Sequence, residues 1–414
     1  MIARMPSRAT SSSARERLVA AAADLIATGG VRSVTARTLA EATGQSPSAV
    51  NYHFDGREGL LAATFEEAAG DISAWRSGWL ATLAADPPSD AFAGWFLALT
   101  LERVGSRTAF LVLRELRHQS ARSPAHRPLA RQEAEAADRF WAAALSQFGL
   151  PAEAAGACAD YTEAILGIHG GPPDHPDQTA WLVETTRRFC ARLSGDRGQA
   201  PGWDGWRQFA RARGAPEASP GLATAPASAV RIAGAAAAVL GRDGMEGLTH
   251  RAVAAEIGLS LAAVSGHFPS RVSLVRAAFD HLIASIQLVR GGVAPDPAVG
   301  RPLIEVTAET AEALFDEDGA ASPGLLALDE LLTAAIREPD LRRDAEDLRA
   351  SRGENSAKLL NGINHAAYPV DGLDAHILSI ATTGAMRSAY AQEPAVRRPW
   401  LAARLTASVG ALFG

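Results

Sequence analysis

"TARTLAEATGQSPSAVNYHFDGREGLL", residues 35–61, strings two short helices around a glycine. Thr35 is an N-cap type, its hydroxyl suited to accept from the first free N–H groups of a helix carrying Leu39, Ala40 and Ala42. Gly44 supplies a residue able to take a positive φ in a tight turn. Ser46 reads as the cap of the next helix and Pro47 as its first residue, where a missing N–H removes nothing. Val50 and Phe54 point inward, and Ser48 and Ala49 keep the outer face free of bulk. Upstream, Ser12 and Ser13 can cap a helix through "ARERLVAAAADLIAT", ending at Gly29-Gly30, with Leu18, Ala21, Ala22, Leu25 and Ile26 on one face. Three helices with a glycine turn between the last two make the helix-turn-helix layout. A two-turn helix this slim fits a DNA major groove, about 12 Å wide, where Gln45, Ser46, Ser48 and Asn51 can reach base edges or phosphates. By layout alone, a small helical bundle with a short packing helix fits equally well.

The stretch is written twice. "THRAVAAEIGLSLAAVSGHFPSRVSLV", residues 249–275, repeats it at a shift of 214 positions, aligning Thr35 with Thr249, Gly44 with Gly258, Ser46 with Ser260, Val50 with Val264 and Arg57 with Arg271. The repeat continues beyond the heads. "LVLRELRHQSARSP" (111–124) resembles "LALDELLTAAIREP" (326–339) at a shift of 215, and Gly170 meets Gly384 at 214. The whole chain is therefore expected to be a tandem duplication of a helical unit. Between the copies, residues 194–228 have the Gly, Pro, Ser and Ala content of a linker. Within it, "WDGWRQFARARG" is expected to dock through Trp203, Trp206 and Phe209.

Taken together, the residues of 35–61 resemble the DNA-binding segment of the TetR family of bacterial regulators. The resemblance rests on Thr35, Leu39-Ala40, Gly44, Ser46, Val50, the Tyr52-His53-Phe54 cluster, Leu60-Leu61 and Arg57, where the family more often has Lys. It implies that Thr35 and Arg57 meet phosphates, with Arg37 counted among the DNA contacts. It further implies that Tyr52 packs on the DNA backbone and that Gln45, Ser46, Ser48 and Asn51 face the groove. His53 is expected to brace the junction with the following helix. The second copy matches less completely, because Ser265 and Gly266 replace Asn51 and Tyr52, and Leu261 replaces the proline. Thr249, Arg251, Ser260, Ser265 and Arg271 are its weaker DNA-contact candidates. It is either a second reader of altered specificity or a domain kept for packing.

The implied fold is all-α, with two TetR-like units, each a three-helix head followed by a helical ligand-binding and dimerisation domain. The expected divisions are 1–60 for arm and first head, 61–193 for the first regulatory domain, 194–228 for the linker, 229–274 for the second head and 275–414 for the second regulatory domain. Breaks at Gly and Pro predict helices over 57–84, 89–120, 125–148, 152–169 and 177–193. The second copy should repeat them over 271–290, 298–318, 323–337, 340–364, 372–391 and 395–412. Trp75, Trp79, Trp95, Phe110, Trp141 and Tyr161 would either line a pocket for a small apolar effector or form plain core. In the family the last two helices of each unit pair with a partner as a four-helix bundle. Here that implies an intramolecular pseudo-dimer or a homodimer, with repression of an operator as the family's usual mode.

Composition limits the alternatives. The chain has 414 residues, 47% of them hydrophobic, and a net charge of −6, so nucleic-acid contact must be local. Residues 1–60 hold seven Arg against five acids, four of the Arg within the first 17 positions, which reads as a basic arm or as a solvated terminus. No apolar run is long enough for a bilayer and the start lacks a signal-peptide core, so no membrane partner and a cytoplasmic location are expected. Cys158 and Cys190 are expected to be reduced thiols filling core space. The ten histidines lack metal-site spacing, and neither a phosphate loop nor a nucleophile elbow is present. A non-enzyme without cofactor or metal is expected, its rival being a helical interaction scaffold whose heads no longer bind DNA.

Overall fold

The computed structural model describes residues 13–84, 86–105, 108–169, 176–198, 224–292, 301–341, 370–414 and scattered positions between 345 and 360. Among them the chain is all helix, apart from one isolated antiparallel bridge between Phe315 and Ala321. No helix among the described residues is long and apolar enough to cross a membrane. The basic arm ahead of Ser13, and Trp203, Trp206 and Phe209 of the linker, lie outside the described residues.

The chain divides into two compact units, residues 1–73 with 107–115, and residues 74–106 with 116–414. The smaller unit holds the first head. Helix α1 (Ala14–Gly29) opens on a capping box in which Ser13 accepts from the Glu16 N–H and Glu16 returns the bond. Helix α2 (Ala36–Thr43), helix α3 (Ala49–Phe54) and the first turns of α4 (Arg57–Ala81) follow. Leu18, Ala22, Ile26, Leu39, Val50 and Phe54 are buried, while Ala21 and Leu25 of the predicted stripe are only half-buried and Val19, Val34, Leu60 and Phe65 add to the core.

The larger unit holds most of the first copy's regulatory helices and all described helices of the second copy. From the first copy come α5 (Phe92–Gly105), α7 (Arg127–Gln147), α8 (Ala155–His169) and α9 (Pro176–Leu193). Between α5 and α7 runs α6 (Thr108–Arg122), whose first residues belong to the smaller unit. The helix expected over 89–120 is thus two helices, α5 closing at Gly105, a residue that weakens a helix interior. The second copy supplies α10 (Ala227–Gly247), α11 (His250–Ile257), α12 (Leu261–His267) and α13 (Arg271–Gly292). After them come α14 (Leu303–Leu314), α15 (Pro323–Arg337), α16 (Gly372–Tyr390) and α17 (Arg397–Phe413). The helix expected over 298–318 is shortened to α14, and the one expected over 340–364 falls mostly outside the described residues.

Helices α8 and α9 of the first copy pack against α16 and α17 of the second. Their apolar residues form one cluster: Tyr161, Ile165, Ile168 and Phe189 share it with Ile377, Ile380, Val409 and Leu412. The closest approach is at Gly384 of α16, where an added Cβ would lie 1.8 Å from the Asp160 carbonyl oxygen of α8. Two buried ion pairs repeat the duplication across this seam. Asp160 on α8 takes Arg404 of α17 at 2.6 Å, and Asp374 on α16 takes Arg192 of α9 at 2.7 Å. Asp160 and Asp374 are 214 positions apart, so the same carboxylate is used twice in a pseudo-symmetric arrangement. A buried carboxylate this close to a guanidinium needs such geometry to offset its desolvation.

Candidate nucleic-acid interface

Thr35 caps α2 in a reciprocal box with Thr38, the two hydroxyl-to-backbone bonds measuring 3.0 and 3.1 Å. Gly44 sits at φ +68°, and Gly258 repeats it at +66°, the left-handed turn that lets a second short helix cross the first. Helix α3 starts at Ala49 rather than at the predicted Pro47. The Ser46 hydroxyl is engaged with Ser48 at 3.0 Å, the Ala49 N–H donates to the Ser46 carbonyl in a turn, and Ser48 stands at the cap position. In the second head, where Leu261 replaces the proline, Ser260 does cap α12, accepting from the Ala263 N–H at 3.1 Å.

Helix α3 buries Val50 and Phe54 and turns Asn51 and Tyr52 outward. Tyr52 is 85% exposed, touching His53 edge-on at 4.9 Å between ring centroids. Burying a bare aromatic of this kind against another surface is favourable, which makes Tyr52 a candidate contact residue. Ser46 and Ser48 are exposed beside it, and Arg37 stands out from α2 with its guanidinium 2.8 Å from Glu41. A surface pair of this kind contributes little and yields readily to a phosphate.

Two of the predicted contacts are already committed elsewhere. The Gln45 amide donates to the Ala14 carbonyl at 3.0 Å and ties the turn to the start of α1. Arg57 donates from Nε to Val34 O at 3.0 Å and from Nη2 to Val31 O at 2.8 Å, holding the 31–34 loop to α4. Its repeat Arg271 does the same, donating from Nη2 to Met245 O, the position matching Val31, while Nη1 meets Glu338 at 2.9 Å. Both arginines therefore position the loop that leads into α2 and α11. Thr249 caps α11, and Arg251 is exposed. Ser265 is half-buried, and the outer face of α12 carries Gly266 and Leu261, the latter 49% exposed.

Of the six aromatics considered for an effector, Trp75 and Trp141 line a cavity in the larger unit. Trp79 and Trp95 meet edge-on at 5.6 Å, and Tyr161 stacks on Phe189 at 4.1 Å with its hydroxyl 3.1 Å from Thr186 Oγ1, so these three build core. Phe110 is buried and belongs to the smaller unit. The cavity spans about 380 Å³ when the open solvent beside it is counted, and the free space within it holds about one water. Its wall is mixed: Arg76, Arg103, Arg117 and Glu163 line it with Thr162 and Ser388, beside apolar Leu99, Phe140 and Trp141. Arg76 grips Glu133 through both terminal nitrogens at 3.0 and 3.2 Å, and Glu163 accepts from Arg103 at 3.0 Å with Arg117 at 3.4 Å. Burial pushes Arg103 down to about 10, partly reversed by Glu163 and reinforced by Arg76 and Arg117. These residues come from several helices, so no spacing rule gathers them. The available signal was a set of charged residues set among apolar neighbours, as in "FLVLRELRH".

Cys158 and Cys190 are free thiols buried in the core, and burial pushes both up from the ordinary thiol range. No group of three or more metal-ligating side chains occurs among the described residues.

Residues 18–64 and 232–278 each match the family model of the bacterial regulatory proteins, tetR family. No curated protein matches the chain. The two matched segments are the two heads, built around the same capped helices and the same left-handed glycine turn. The chain is accordingly a tandem-duplicated member of the tetR family of DNA-binding transcriptional regulators.

Proposed function

We propose that the chain is a one-chain pseudo-dimeric repressor, whose first head reads operator DNA and whose larger unit senses a small molecule. The observation that carries the reading is Tyr52, an aromatic 85% exposed on a helix otherwise held by buried Val50 and Phe54. Around it Thr35, Arg37, Ser46, Ser48 and Asn51 supply the contacts to phosphates and base edges, while Gln45 and Arg57 position the helix. The second head binds DNA more weakly, through Thr249, Arg251 and Ser260, because Ser265 and Gly266 offer neither the amide nor the aromatic ring. Two unlike heads on one pseudo-symmetric body suit an asymmetric operator, since head geometry sets half-site spacing. The packing of α8 and α9 on α16 and α17 supports pairing within the chain, because α8 and α16 are buried along nearly their whole length. The working divisions are residues 1–60, 61–193, 229–274 and 275–414 around a linker at 194–228, and the working location is the cytoplasm.

A gel shift with DNA from beside the protein's own gene, run at two salt concentrations, tests the reading. Tyr52→Ala and Asn51→Ala should each weaken binding by about tenfold, the scale of one lost contact. Unchanged binding by both variants would refute the interface.

A further inference from the structure

We propose that the second head reads the methyl groups of thymine, through Leu261 and Ala262 at the start of α12. The inference rests on the reading of both heads as DNA-binding, and it names what the weaker head recognises. At the shift of 214, Gln45, Pro47, Ser48, Asn51 and Tyr52 of the first head become Leu259, Leu261, Ala262, Ser265 and Gly266. Leu261 and Ala262 are exposed, Leu261 by 49%, while Leu259 and Ser265 are half-buried. An added Cβ at Gly266 would meet nothing within 4 Å, so the outer side of α12 is open there.

The polar groups around α12 are committed within the head. Ser260 accepts from the Ala263 N–H at 3.1 Å and Thr249 from the Ala252 N–H at 3.1 Å, which leaves each hydroxyl proton for a phosphate oxygen. His250 Nε2 meets the Phe268 carbonyl at 2.7 Å, His267 Nε2 meets the Ser228 hydroxyl at 3.0 Å, and Arg242 holds Glu256 at 2.9 Å. Arg251 is exposed and adds a positive charge that suits a phosphate. Phosphate contacts fix register and carry no sequence information. What faces base edges is then hydrocarbon and the hydroxyl of Ser265, which both donates and accepts and so does not tell bases apart. The apolar feature that base pairs show in the major groove is the C5-methyl of thymine. A protein partner suits the face less well. A stable interface covers about 800 Å² on each side, against one half-exposed leucine and an alanine on a seven-residue helix.

The test is a gel shift of the full chain on DNA from beside its own gene, made once with thymidine and once with deoxyuridine throughout, which removes the methyls and keeps the pairing. Wild type should bind the deoxyuridine duplex about fourfold or more weakly, the scale of one lost methyl contact. Leu261→Gln should shrink that preference by about threefold, and Ala262→Gln should do the same and decides if Leu261→Gln does not fold. Tyr52→Ala should weaken binding to both duplexes and keep the preference. Equal wild-type binding to the two duplexes, a preference unchanged in a folded Leu261→Gln or Ala262→Gln, or one lost in Tyr52→Ala overturns the proposal. So does a Leu261→Gln chain that alters the number of chains per particle in light scattering with its thymidine preference intact, which assigns Leu261 to a protein contact. A chain that shifts both duplexes equally leaves the regulator reading standing without methyl readout. One that shifts neither removes the regulator reading and the proposal with it.

Discussion

Gly384→Ala should destabilise the larger unit, against the ordinary expectation for replacing glycine in a helix. The new Cβ would sit 1.8 Å from the Asp160 carbonyl oxygen and 2.4 Å from its carbon, where an ordinary contact begins at 3.4 Å. Backbone atoms on α8 cannot rotate away, so α8 and α16 must separate by about 1.6 Å, the difference between those two distances. Overpacking of this kind costs about 3 kcal/mol at the upper end of its range. The better helix propensity of alanine returns about 1 kcal/mol, leaving a net loss of about 2 kcal/mol. Spread over roughly 300 residues at about 2 cal/mol/K each, that loss lowers the melting temperature by about 3 °C. Gly78→Ala is the control, since Gly78 lies exposed in α4 with no atom within 4 Å of its added Cβ. Calorimetry and urea unfolding should show the two substitutions moving stability in opposite directions. If Gly384→Ala is neutral, or stabilises as Gly78→Ala does, the close crossing of α8 and α16 is wrong.

Arg57→Ala should lower the stability of the first head by about 1–2 kcal/mol, since two hydrogen bonds to the 31–34 loop are lost, and hydrogen exchange at that loop reads it directly. Undiminished protection there would return Arg57 to a purely DNA-facing role. Ser265→Asn combined with Gly266→Tyr should strengthen DNA binding by the second head, because the Gly266 Cβ position is open and the exchange restores the first head's outer face. A gel shift unchanged by the double substitution would show that α12 does not approach DNA. Cys158 and Cys190, buried with thiols held above the usual range, should resist a water-soluble thiol reagent at pH 8 until the chain unfolds. Rapid labelling of native protein would contradict the packing of α8 and α9.

The heads were legible because their physics is local. Thr35, Gly44 and Val50 each carry a cap, a turn or a buried position that depends on neighbours a few residues away, and the 214-residue echo doubled the signal. The start of α3 was misplaced by two residues because Ser46 and Ser48 compete for the same turn, which sequence does not rank. The bonds of Gln45 and Arg57 to the carbonyls of Ala14, Val31 and Val34 were not legible, because a carbonyl leaves no trace in a sequence. The cavity was the least legible part. Its aromatic residues drew the eye, but Arg76, Arg103, Arg117 and Glu163 lie on four helices up to 87 positions apart, and only folding brings them to one wall.

The covalent joining of α8 and α9 to α16 and α17 has a consequence for dosage. Two-headed proteins assembled from separate chains fall apart on dilution, so their occupancy of a promoter tracks the square of their abundance when scarce. In a one-chain pseudo-dimer of the kind proposed above, the partner would be tethered at high effective concentration and pay no translational entropy to associate. Promoter occupancy should then follow abundance in simple proportion, down to a handful of molecules per cell. Two heads on one chain need not be alike, and Ser265 and Gly266 stand where the first head has Asn51 and Tyr52.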